Sequence, residues 1–87
     1  MDDKCLLALY KVLSPEARTI FDVLRRTPDD PVSMDNLMLT ARVSTQKTRK
    51  GVWGLQNTGL IEYIYRKPIQ LSEAGLRLSQ LLAKETP

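Results

Sequence analysis

The stretch from Leu37 to Glu62, LMLTARVSTQKTRKGVWGLQNTGLIE, constrains the fold of this chain more than any other. A short apolar helix runs into a turn at Arg42-Val43, a second helix is bracketed by Ser44 and Gly59, and an apolar strand begins at once. Ser44 is the natural N-cap, because its hydroxyl can accept from the free backbone N–H groups of the first turn. Gly59 suits the left-handed residue that ends a helix, having no Cβ to clash there. Between them Thr48, Val52 and Leu55 recur at helical spacing and define an inward face. The opposite face carries Gln46, Lys50, Trp53 and Asn57, with Lys47 and Arg49 on its flanks. Gly51 and Gly54 interrupt this helix, each lowering its propensity by up to about 1 kcal/mol relative to alanine. Gly54 falls beside Trp53 on the outward side, which suggests a flat contact site there.

Around this segment the pattern is helical with one hairpin. Residues 3–13 place Leu6, Leu9, Tyr10 and Leu13 on one stripe, leaving Cys5, Leu7 and Val12 off it. Ser14-Pro15-Glu16 is a helix start: N-cap, proline at the first helical position, and an acid at the positive end of the dipole. Ala17, Ile20, Phe21 and Leu24 supply the core stripe of that helix. Thr27-Pro28-Asp29-Asp30-Pro31 reads as a rigid loop, and Val32 as a short edge strand. Ser33 caps a helix over 34–41 whose Leu37, Met38 and Ala41 face inward. Leu60 to Tyr65 reads as a strand, Arg66-Lys67-Pro68 as a tight turn and Ile69-Gln70-Leu71 as the returning strand. Tyr63 and Tyr65 are expected to pack across this hairpin. Ser72-Glu73 opens the last helix, with Leu71, Ala74, Gly75, Leu78 and Leu82 on one face and Leu76 opposite.

Eighty-seven residues, 43% of them hydrophobic, make one small domain with a single core. No apolar run approaches the roughly 20 residues that span a bilayer, and no signal peptide is visible. A single cysteine, Cys5, cannot form an internal disulfide; it fits a reducing, cytoplasmic setting and is expected as a small buried hydrophobe. There is no histidine, so the usual structural zinc sites and every His-dependent triad are excluded. The carboxylates of Asp2, Asp3, Asp22, Asp29, Asp30 and Asp35 are scattered or lie in turns, and no phosphate-loop or dinucleotide fingerprint is present. The chain reads as a non-enzyme without metal or cofactor. Its net charge is only +3, but residues 42–67 hold Arg42, Lys47, Arg49, Lys50, Arg66 and Lys67 against Glu62 alone. The positive charge thus falls on the Ser44–Gly59 helix and the hairpin behind it, the footprint of phosphate contact. A helix held by apolar residues on one side, with amide and basic side chains on the other, can lie in a DNA major groove.

The order helix, helix, helix, hairpin, helix resembles a winged helix-turn-helix domain over about residues 14–84. Two motifs carry the resemblance. Val43-Ser44 followed by the polar helix and Thr58-Gly59-Leu60-Ile61-Glu62 matches the "V-S … x-G-L-I-E" pattern of many such regulators. Leu71-Ser72-Glu73-Ala74-Gly75 is similar to the "L-T-x-x-G" start of the post-wing helix in MarR-like and PadR-like repressors. The resemblance implies an α+β fold, mainly α: a single winged helix-turn-helix domain with a short C-terminal β-hairpin wing and a terminal helix. It departs from the family in Arg42, where the turn usually holds a glycine and a slightly different turn is expected, and in its short wing tip.

Carried over by position, Ser44, Thr45, Gln46, Lys47, Arg49 and Lys50 become recognition-helix contacts, and Arg66 and Lys67 wing contacts. Gln46 could bond an adenine edge and Arg49 or Lys50 a guanine, while Lys47 and Arg66 hold phosphates. The implied function is sequence-specific binding of double-stranded DNA by a small transcriptional regulator, with helix 45–58 in the major groove and the 66–68 tip at the backbone. The alternative is a winged-helix protein-interaction module, cut from a larger replication or regulatory protein, for which the Lys84-Glu85-Thr86-Pro87 ending would suit a linker. Trp53 has two readings, packing against its own wing or N-terminal segment, or contact with a partner. Residues 1–13 also have two: they fold back over the last helix, or form a dimer or partner seam using Leu7 and Leu76. The homodimer is favoured, since DNA binders of this class are usually two-fold dimers reading two half-sites. No membrane partner is implied.

Overall fold

Polar caps divide the chain into its elements. The computed structural model describes residues 2–64 and 67–85, and among these it is α+β and mainly helical. Asp2 caps α1 (Asp3–Val12), its carboxylate accepting the Cys5 N–H at 2.8 Å. Ser14 caps α2 (Pro15–Leu24), accepting from Ala17, with Pro15 in the first position. Ser33 caps α3 (Met34–Ala41) and Ser44 caps α4 (Thr45–Thr58) in the same way, through the N–H groups of Asn36 and Lys47. Ser72 precedes α5 (Glu73–Glu85) and accepts the Gly75 N–H at 3.2 Å. Each cap satisfies a backbone donor that the helix itself cannot.

The turn between α3 and α4 keeps its left-handed residue although no glycine is there. Arg42 has φ 56° and ψ 40°, and its N–H closes α3 on the Met38 carbonyl at 3.0 Å. The conformation that glycine would favour is therefore retained by arginine, against a residue-level penalty for the left-handed region. Arg42→Gly is expected to raise stability by up to about 1 kcal/mol. A urea melt of the two proteins checks it, and a loss of stability would mean the Arg42 side chain itself supports the turn.

The hairpin is shorter than the run of β-branched and aromatic residues implies. Strands β1 (Ile61–Glu62) and β2 (Gln70–Leu71) pair antiparallel, Ile61 opposite Leu71 and Glu62 opposite Gln70. Further backbone bonds flank the ladder. Ile69 turns its backbone to Val32 instead, exchanging hydrogen bonds of 2.7 and 2.8 Å, so the loop preceding α3 adds an edge to the hairpin. At the other end the Leu60 carbonyl accepts the Ser72 N–H at 3.0 Å, and the Leu60 N–H returns to Leu55. The Ser72 hydroxyl also donates to the Gly59 carbonyl, tying the end of α4 to the start of α5. The turn expected at Arg66-Lys67-Pro68 lies partly outside the described residues, as does Tyr65. The Lys67 N–H reaches the Ile64 carbonyl at 2.9 Å.

The core lies between these elements. Leu6, Ile20, Phe21, Leu37, Leu55, Leu60, Ile69 and Leu78 are all essentially inaccessible to solvent. Helices α2 and α4 approach closely at Gly51, which is buried: a Cβ there would stand 2.7 Å from Ile20 Cγ1 and 2.8 Å from the Glu16 carbonyl. The propensity that Gly51 forgoes is thus exchanged for close helix packing. Gly54 does not share the outward face of Trp53. A Cβ on it would lie 3.6 Å from Ala17 Cβ, so it too faces α2.

The N-terminal helix belongs to this core. Leu6 is buried, α1 packs on α5, and Asp3 pairs bidentately with Arg77 at 2.7 and 3.0 Å. Against α2, the Tyr10 hydroxyl donates to Asp22 at 2.8 Å and its ring lies 5.9 Å from Phe21. The Arg18 guanidinium lies over the Tyr10 ring, 5.6 Å from its centroid, and donates to the Lys11 carbonyl at 2.9 Å. Partial burial pushes the Tyr10 phenol above its ordinary value. Within the chain, α1 folds back over the last helix. Leu7 and Leu76, which the helical stripes leave aside, are both half-buried and pack against the core. Cys5 is exposed rather than buried, because the α1 stripe that meets the core runs through Leu6 and Leu13. The Asp2 carboxylate beside it pushes its thiol up.

Candidate nucleic-acid interface

Helix α4 presents two chemically different faces because of how its first turn is built. Thr48 is fully buried, and both its N–H and its hydroxyl bond the Ser44 carbonyl at 2.9 Å. Val52, Leu55 and Gly51 continue that side into the core. With this face fixed, Ser44, Thr45, Gln46, Lys47, Arg49 and Lys50 are all exposed around the first two turns. The assignment of inner and outer faces from residue spacing therefore holds throughout the helix, Gly54 excepted.

Its electrostatics are one-sided. Each of α1, α2, α3 and α5 carries an acid in its first turn, but α4 carries none. The positive end of its backbone dipole is left uncompensated next to Lys47. Among the described residues the ion pairs are Asp22–Arg25 and Asp3–Arg77, both far along the chain from α4. Lys47, Arg49 and Lys50 have no acidic partner there. Arg42, also exposed, adds a further cation at the entry to the helix.

Tyr63 links this face to the hairpin. Together with Met34, Arg49, Val52, Trp53 and Gln56 it lines an open groove of about 280 Å³ between α4 and the hairpin. An adjoining hollow shares Met34 and Tyr63 and reaches Asp35 and Lys67. The cations of α4 and the described cation of the hairpin thus border one continuous surface. The Gln56 amide donates to the Tyr63 carbonyl at 3.4 Å and holds the groove wall. Arg66 lies outside the described residues. Trp53 does not pack beneath its own hairpin or N-terminal segment: it is 68% exposed. Tyr63, expected as a cross-strand partner, lies beyond the paired residues and serves as a wall of this groove.

Of the residues singled out from sequence, α4 brings Ser44, Thr45, Gln46, Lys47, Arg49, Lys50 and Trp53 onto one surface, with Lys67 near its edge. Leu7 and Leu76 are elsewhere, packed against the core. Sequence reasoning missed Met34 and Tyr63 as parts of this surface. Met34 follows an N-cap and could be read only as a helix start, and its proximity to α4 is a tertiary fact. Among the described residues no three His, Cys, Asp or Glu side chains gather as a metal site requires, and no helix is long and apolar enough to cross a membrane. Compared with known protein families and with curated proteins, the chain matches none.

Proposed function

We propose that this chain is a winged helix-turn-helix module that binds double-stranded DNA, acting as a small transcriptional regulator. The observation that carries the reading is the outer face of α4: a Ser44-capped helix end without an acid, followed by exposed Gln46, Lys47, Arg49 and Lys50 with no acidic partners among the described residues. Such a face offers cations to phosphates and amide or guanidinium groups to base edges, and its rigid apolar side holds it in place. The element order supports the fold assignment. The edge at Val32, the pair α3–α4 with its left-handed turn, and the hairpin before α5 are compatible with a winged helix. In this reading Lys67 and Arg66 form the wing contact with the backbone.

Replacing Lys47, Arg49 and Lys50 together by alanine should lower duplex affinity while leaving the thermal melt nearly unchanged, since all three are exposed. The slope of log affinity against log salt should flatten by roughly 0.9 for each phosphate that is no longer neutralised. Binding as tight as that of the parent at moderate salt would show that this face does not contact DNA.

One observation favours a second reading, a protein-interaction module of the same fold. Trp53 is 68% exposed over an apolar floor, as interface anchors often are. A module of that kind would bind duplex DNA weakly at physiological salt and would keep its partner when the α4 cations are removed.

A further inference from the structure

Trp53 has a geometry that a continuous duplex does not use. A major groove shows base edges and thymine methyls, while the faces of the bases are covered by their neighbours. An indole standing free beside an apolar floor of Met34 and Val52 and a wall formed by Tyr63 is instead built to receive a flat ring. At about 280 Å³ the groove is just below the roughly 300 Å³ at which small-molecule pockets begin, and it is open on one side. It has room for one planar group attached to a chain that continues outside.

Charge identifies that chain. The groove is lined by Arg49 and by no carboxylate; Arg49 precedes Trp53 by four residues, one helical turn, and so shares its face. Lys50 and Lys47 extend the positive surface along α4, and Lys67 borders the adjoining hollow, where Asp35 is the single acid. An apolar peptide would find no use for this cationic surround, whereas a nucleotide would place its base on the indole and its phosphate on Arg49. Gln56 contributes polarity at the rim: its amide nitrogen is engaged by Tyr63, which leaves the side-chain carbonyl to accept from an exocyclic amine.

We propose that the Trp53 groove is a stacking site for an unpaired nucleobase, so that the preferred DNA is a duplex continued by a single-stranded segment. The inference rests on the nucleic-acid reading above and deepens it by naming the substrate class. The polar first turns of α4 engage the duplex, and Trp53, further along the same face, takes the first base beyond it. Aromatic stacking of this kind is tolerant of base identity, because every base has a π-face.

Trp53 is the only tryptophan in the chain, so its fluorescence reports the groove alone. The test compares a blunt duplex, the same duplex with a single-stranded overhang, and the overhang strand by itself, at one moderate salt concentration. Anisotropy of the labelled DNA gives affinity and Trp53 emission gives stacking. The overhang duplex should bind about tenfold or more tighter than the blunt one, the size expected for one base on one aromatic ring, and should quench Trp53. Trp53→Ala should abolish the difference between the overhang and blunt duplexes, and Trp53→Phe should keep most of the preference. Thermal melts of both variants should match the parent, because the side chain is mostly exposed. Equal affinity for the two duplexes, unquenched Trp53 in the bound complex, or a preference that survives Trp53→Ala would overturn the stacking site and leave the duplex reading standing. Failure of every probe to bind would overturn both and point to a protein on this face.

Discussion

Gly75→Ala should destabilise the domain by about 3 kcal/mol or more. A Cβ at this position would clash with the Leu60 carbonyl oxygen and stand 3.3 Å from Leu71 Cβ. The obstacle is backbone, so no side-chain rotation relieves it. Leu60 is also pinned: its carbonyl accepts from Ser72, its N–H donates to Leu55, and its side chain is fully buried. To admit one methyl group, α5 must move off the hairpin and take Leu78 and its docking with α1 along. Overpacking a core usually destabilises by about 1–3 kcal/mol and occasionally more; this site belongs at or beyond the upper end. Urea denaturation followed by circular dichroism measures it. A loss under about 1 kcal/mol, within the usual range of surface substitutions, would mean that α5 is held loosely and that the hairpin is not fixed by it.

Leu55→Ala should lose roughly 2–5 kcal/mol, the range for a large-to-small change in a packed core, whereas Gln46→Ala should change stability by less than about 1 kcal/mol. Leu55 is fully buried and its carbonyl accepts from Leu60 and from the Thr58 hydroxyl, so the site cannot collapse easily around the missing atoms. Gln46 stands exposed on the opposite face. The contrast measures the two-sidedness of α4 directly. Equal losses would contradict it, and the proposed DNA-facing surface with it.

Helices were legible because their signals are local. Ser14, Ser33 and Ser44 cap where a serine before an apolar-periodic run predicts a cap, and Gly59 ends α4 with φ 79°. The inward positions Ala17, Ile20, Phe21, Leu24, Leu37, Thr48, Val52 and Leu55 follow from helical spacing and are buried. What was not legible depends on which elements meet. Gly51 looks like a weak point in a helix until α2 is placed against it. Gly54 and Trp53 are adjacent in sequence and diverge in space, one toward Ala17 and the other toward solvent. The strand signal of residues 60–65 overstated the ladder, which among the described residues pairs Ile61 with Leu71 and Glu62 with Gln70. Leu7 and Leu76 lie off the main stripes of α1 and α5, yet both find core contacts, since helices packed on several sides bury more than one stripe. The polar face of α4 was visible from spacing alone. The groove beside it needed the positions of Met34 and Tyr63, which only the fold supplies.

In the proposed DNA complex the exposed cations of α4 and its neighbouring hairpin neutralise phosphates. The most direct measurement is the affinity of the parent chain for duplex DNA over a series of salt concentrations. With Lys47, Arg49, Lys50 and Lys67 exposed and available, log affinity should fall linearly with log salt at a slope of about −3 to −4, roughly −0.9 for each neutralised phosphate. Binding that does not change with salt, or no binding even at low salt, would contradict it.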